Sequence, residues 1–184
     1  LANGGEVASI EDAAFITVEG LTFEGTDDHY QNNGFNGIQI TNSADITIDR
    51  CISQHTGNAG IYLAGNNVNI TIQNTEVTDT RDGTGIYVGC GDGSCWTSDS
   101  LFANNLVHGI GGDDDDGIRF ERGATNNIIR DNVVFDVPDD GFVLRSTEYQ
   151  DPNFLEGNIV WNAGGTGLVV TGSAVSSPTL ILVQ

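Results

Sequence analysis

Apolar residues recur along this chain at strand spacing. A short phrase returns six times: glycine, an apolar residue, any residue, then another apolar residue. It reads Gly37-Ile38-Gln39-Ile40, Gly60-Ile61-Tyr62-Leu63, Gly85-Ile86-Tyr87-Val88, Gly117-Ile118-Arg119-Phe120, Gly141-Phe142-Val143-Leu144 and Gly167-Leu168-Val169-Val170. The spacings are 23, 25, 32, 24 and 26 residues. A second alternating run follows in each repeat, such as Ile46-Thr47-Ile48 and Ile70-Thr71-Ile72, and a third follows a polar bend, such as Val133-Val134 and Ile159-Val160. All three runs have a period of two, and no segment has the helical period. Three short strands in each repeat of about two dozen residues predict an all-β parallel β-helix of about six to seven coils.

Side-chain stacks follow from this reading. The two apolar positions of each phrase face inward and all twelve are apolar. The position between them faces outward, as a column of Gln39, Tyr62, Tyr87, Arg119, Val143 and Val169. Asn105, Asn132 and Asn158 align at the bend between the second and third strands. Stacked amides there would hydrogen-bond along the solenoid and satisfy a buried turn. His108, Phe135 and Trp161 form a second outward column, suited to packing under a neighbouring chain, domain or loop.

From about Ala14 onward these residues resemble the right-handed parallel β-helix superfamily. That superfamily contains pectate lyases, polygalacturonases, alginate lyases and epimerases, and many surface proteins. The resemblance implies a single-stranded right-handed solenoid, in keeping with the right-handed crossover of parallel strands. The phrase is a core-packing code, so it carries fold more than function.

Composition narrows the partners. The chain has 184 residues, expected to form one domain over 1–184 as a mature or partial segment of a longer solenoid. It carries 26 acidic residues against 6 basic ones, a net charge of −20. All the basic residues are Arg, and there is no Lys. Such a chain lacks the basic footprint of a nucleic-acid binder. It has no apolar run long enough to insert in a membrane. The acid excess points to a secreted or cell-surface setting and resembles proteins of high-salt organisms. Cys90 and Cys95 lie in a Gly-rich loop and could close a small disulfide, or remain thiols with Cys51.

Acidic pairs precede two of the repeat glycines: Asp115-Asp116 before Gly117, and Asp139-Asp140 before Gly141. Consecutive coils lie about 4.8 Å apart, so the four carboxylates are expected to cluster. They would shift one another's pKa or recruit a cation, and calcium, with six to eight oxygen ligands, is the candidate cofactor. A solvated acidic face is the alternative. Arg119 and Arg145 lie beside the cluster, as salt-bridge partners or as groups for a substrate carboxylate. Tyr62 and Tyr87 share one outward face, as sugar-stacking residues would.

Resemblance to the calcium-dependent β-helix lyases implies a polysaccharide partner and β-elimination on a uronate-containing glycan. Asp115, Asp116, Asp139 and Asp140 would hold calcium, and Arg119 or Arg145 would be the base. Those lyases often use a Lys base, which this chain lacks. A glycoside hydrolase with paired Asp is a second expectation. There Asp116 and Asp139-Asp140 resemble the polygalacturonase pattern, although Gly165-Thr166-Gly167 stands where that family has Gly-His-Gly. A non-catalytic surface, adhesion or assembly module with end-to-end or lateral self-association is the third.

Overall fold

The computed structural model describes residues 6–25, 35–112, 115–145, 152–172, 175–176 and 180–183, the last two segments as backbone only. His29, Asp113 and Asp114 lie outside the described residues. All the described elements are strands, and every pairing between them is parallel. They stack as three sheets running the length of a solenoid of about six turns. The first sheet is built from Glu6–Glu11, Asn36–Thr41, Ile61–Ala64, Ile86–Val88, Ile118–Phe120, Phe142–Arg145 and Leu168–Thr171. Its register pairs Ile38 with Ile61, Ile61 with Ile86, Ile86 with Ile118, Ile118 with Phe142 and Phe142 with Leu168. The repeat phrases therefore coincide coil by coil. The Ile46 and Ile70 runs lie in the second sheet and the Val133 and Ile159 runs in the third.

The core is a continuous column of these inward side chains. Ile38, Ile40, Ile61, Leu63, Ile86, Val88, Ile118, Phe120, Phe142 and Leu144 are all buried. Leu168 is only half-buried and Val170 is 41% exposed, because their strand ends the sheet order and no further described strand roofs it. Val143 departs from its expected outward, solvent-facing place and is buried.

The glycine of the repeat phrase is required by packing. A Cβ on Gly117 would fall 2.3 Å from Val134 Cγ1 and 2.7 Å from the Gly141 carbonyl oxygen. Glycine thus lets the first sheet approach the third across the turn.

Corners use two devices. Exposed corners place Asn or Asp in the left-handed region, as at Asn69 (φ 55°), Asn126 (φ 53°) and Asp131 (φ 55°), residues that tolerate it best after glycine. Buried corners use amide ladders. Asn105 donates through its backbone N and Nδ2 to Asn132 Oδ1, both at 3.0 Å. Asn132 repeats this to Asn158 Oδ1 at 3.0 and 2.9 Å. A second ladder, not anticipated from sequence, runs from Ser100 through Asn127 to Asn153. Each amide satisfies peptide groups that would otherwise be buried unpaired.

Candidate functional site

The site lies on the outer face of the first sheet. Tyr62, Tyr87 and Arg119 occupy equivalent positions on successive coils. The tyrosine rings stack at 5.2 Å with an interplanar angle of 11°. The Arg119 guanidinium carbon lies 5.8 Å from the Tyr87 ring centre and continues the stack as a cation–π contact. The rings cover one another along the solenoid axis, so their edges and hydroxyls, more than their faces, are offered outward. Burial raises both phenol pKa values. Asp92 adds to the rise at Tyr62, and Glu121 adds to it at Tyr87, against the pull of Arg119.

A disulfide joins Cys90 and Cys95, whose Cα atoms are 5.2 Å apart, and Cys51 is a buried free thiol. The loop they close borders the tyrosines. Tyr62 Oη lies 3.9 Å from Cys90 Sγ, and a Cβ on Gly91 would lie 3.6 Å from Tyr87 Oη.

Three of the four expected aspartates come together. Asp116, Asp139 and Asp140 each bring a carboxylate oxygen within 4.8 Å of the others. Asp115 does not join them. Its carboxylate turns back over Gly112, so close that a Cβ there would overlap Oδ2. Asp116 and Asp140 are also structural. Asp116 Oδ1 accepts the Asp140 N–H at 3.2 Å, and Asp140 Oδ1 accepts the Thr166 N–H at 2.6 Å. Burial raises the Asp116 pKa, Arg119 and the Asp140 N–H oppose it, and the Asp140 and Asp139 charges add to the rise.

The two arginines meet at a residue that the sequence reading passed over. Glu121 is fully buried, and its Oε1 accepts from Arg119 Nε at 2.6 Å and from Arg145 Nη1 at 3.1 Å. Arg119 also donates through Nη1 to Asp116 Oδ2 at 3.1 Å. Arg145 therefore pairs with Glu121 rather than with the Asp cluster where it was expected. The missed signal was present: Glu121 follows Arg119 by two residues, just past the end of the Ile118–Phe120 strand, which at strand spacing puts both on one side. Burial by itself would lower the Arg119 pKa, but Glu121 and Asp116 outweigh it and the guanidinium holds its proton more firmly than usual. That is the reverse of what a general base needs.

Elsewhere, His108, Phe135 and Trp161 stack on the third sheet, with ring centres 4.7 and 4.4 Å apart and planes within 5°. His108 also pairs with Glu76 at 2.9 Å. Among the described residues no helix is long and apolar enough to cross a membrane.

Comparison with known proteins places the chain by fold. No curated protein matches it. Among solved structures it is similar to the A-module of mannuronan C-5 epimerase AlgE4 from Azotobacter vinelandii, at 18% identity and a TM-score of 0.48. That match covers 95% of this chain and 57% of the other, so this chain spans little over half of that structure's length. A family model described as a right handed beta helix region matches residues 3–100 and 96–179. By fold, register and family match, the chain belongs to the right-handed β-helix family.

Proposed function

We propose that the Tyr62–Tyr87–Arg119–Arg145 face binds an acidic polysaccharide, and that the protein is a secreted or cell-surface, carbohydrate-active β-helix acting by lyase-like β-elimination. One observation carries this reading. On a chain of net charge −20, two of the six arginines are held side by side next to a stacked pair of phenols. Guanidinium groups recognise carboxylates through paired N–H donors, and tyrosine hydroxyls suit sugar hydroxyls.

Elimination from a uronate needs its carboxylate neutralised while the adjacent C–H proton leaves. It also needs a proton delivered to the departing glycosidic oxygen. Arg119 and Arg145 fit the first task, as charge stabilisers of the enolate-like state. Tyr62 or Tyr87, with phenol pKa values raised by burial, fits the last as a proton donor. A base role for Arg119 would require release of a proton that Glu121 and Asp116 hold in place, so the C–H proton passes to a solvent water, the C–O bond breaks as the double bond forms, and the phenol that protonates the departing oxygen is reprotonated from solvent.

The all-oxygen donor set of Asp116, Asp139 and Asp140 fits a hard cation such as calcium. Bound there, calcium would screen the repulsion between an acidic glycan and this chain. A non-catalytic surface module is the second reading. It is favoured by the pairing of Arg119 with Asp116 and Glu121 and of Arg145 with Glu121, which leaves the network internally compensated. Ultraviolet detection of unsaturated uronate across a panel of acidic glycans, with and without calcium, decides between the two. Growth of absorbance supports the lyase. Binding without growth supports the module, and neither binding nor growth contradicts the glycan reading altogether.

A further inference from the structure

Glu121 is buried on the outward side of the first sheet. Among the described residues it is the one carboxylate whose second oxygen, Oε2, is both buried and without a partner. Its other oxygen holds Arg119 from the same coil and Arg145 from the next coil. The chain passes close over it: a Cβ on Gly89 would lie 3.1 Å from Glu121 Cβ. A carboxylate is not taken out of water and left half-satisfied unless its remaining contacts hold it strongly.

We infer that Glu121 is a positioning residue, which presets Arg119 and Arg145 as a two-guanidinium receptor for the carboxylates of an acidic sugar polymer. This rests on the acidic-glycan reading above. Oε1 fixes one N–H of each guanidinium, and Asp116 fixes a second on Arg119. Two long side chains that would otherwise sample many rotamers are thus aligned before a ligand arrives. Preorganisation of this kind strengthens binding by removing the ordering that a ligand would otherwise have to impose.

A neutralising role and a positioning role predict opposite signs. If Glu121 merely offsets arginine charge, Glu121→Gln makes the face more positive and a polyanion binds more tightly. If Glu121 positions the arginines, the same change weakens binding despite the gain in charge. The test is calorimetric titration of an oligogalacturonate into wild type, Glu121→Gln and Glu121→Asp, with thermal unfolding of each. The expected result is at least a ten-fold loss of affinity in Glu121→Gln and a smaller loss in Glu121→Asp, which keeps the charge but withdraws it by one methylene. Equal or tighter binding in Glu121→Gln overturns the inference. If Glu121→Gln does not fold, wild-type affinity in Glu121→Asp overturns it equally.

A second readout stands apart from any glycan. With six arginines in the chain, side-chain Nε–H signals can be resolved by nitrogen-15 NMR. The Arg119 Nε–H is expected to exchange slowly in wild type and faster in both Glu121 variants. Unchanged exchange overturns the positioning role. Should wild type bind no oligogalacturonate, the glycan reading fails while these signals still decide whether Glu121 sets the arginines.

Discussion

Asp116 and Asp140 occupy the same turn one coil apart, and Oδ1 of the first accepts the backbone N–H of the second at 3.2 Å. Asn132 likewise accepts the backbone N–H of Asn105 in the buried ladder, but from the preceding coil. The recurrence of Asp before the repeat glycine therefore has a structural cause, because the turn needs a side-chain acceptor that reaches the next coil. Chemistry is left to the second oxygen, and in Asp116 that oxygen faces Arg119.

Asp116→Asn separates these two roles. Asparagine keeps the acceptor for Asp140 and loses the anionic contact to Arg119. Burial raises the Asp116 pKa, so the folded protein binds that proton more readily than the unfolded chain does. Its contribution to stability is full below the ordinary carboxylate range and is lost as pH rises through the folded-state pKa. The variant should lose this acid-range gain and show a flatter stability profile between pH 3 and 7 by urea unfolding. An unchanged profile would contradict the assignment.

The amide ladder should dominate stability. Asn132→Ala strands Asn105 N and Nδ2 without their acceptor and the Phe102 carbonyl without its donor. Several unsatisfied buried groups cost about 3–5 kcal/mol together. Denaturant titration measures this directly, and a loss under about 1 kcal/mol would show that the ladder is dispensable.

Glycine in the repeat phrase makes a packing prediction with its own control. Gly117→Ala forces a methyl group against Val134 and the Gly141 carbonyl and should cost about 1–3 kcal/mol. Gly91→Ala meets only Tyr87 Oη, at 3.6 Å, and should unfold at nearly the wild-type temperature. Equal melting temperatures for the two variants would remove the packing explanation of the repeat.

The cation proposal is tested by calcium calorimetry. Asp139→Asn with Asp140→Asn should abolish binding, whereas Asp115→Asn should leave it intact, since Asp115 stands apart from the cluster. Loss of binding in Asp115→Asn, or no binding by wild type, would rule out this arrangement.

Much of the fold was legible because a β-helix writes its register into the chain. The phrases from Gly37 to Gly141 align in space as they align in sequence, and Asn105, Asn132 and Asn158 stack as their spacing implies. The site was legible only in part. Tyr62, Tyr87 and Arg119 fall in one column by alternation alone. Side-chain direction within a turn does not follow from alternation, so the sequence groups Asp115 with the others although its carboxylate lies over Gly112. Glu121 lies just past the repeat phrase, where alternation says nothing of burial, yet it is fully buried and gathers both arginines. Val143 is outward by period, but an outward position is not always a solvent-facing one, and it is buried.

Recognition of an acidic glycan by the paired arginines is read from the affinity of wild type and of the Arg119→Ala, Arg145→Ala double variant for an oligogalacturonate and for a neutral glycan of equal length. Wild type is expected to prefer the acidic chain, added salt to weaken this preference, and the double variant to lose it while remaining folded. Equal affinity for the two glycans in wild type, or an undiminished preference in the double variant, would contradict it.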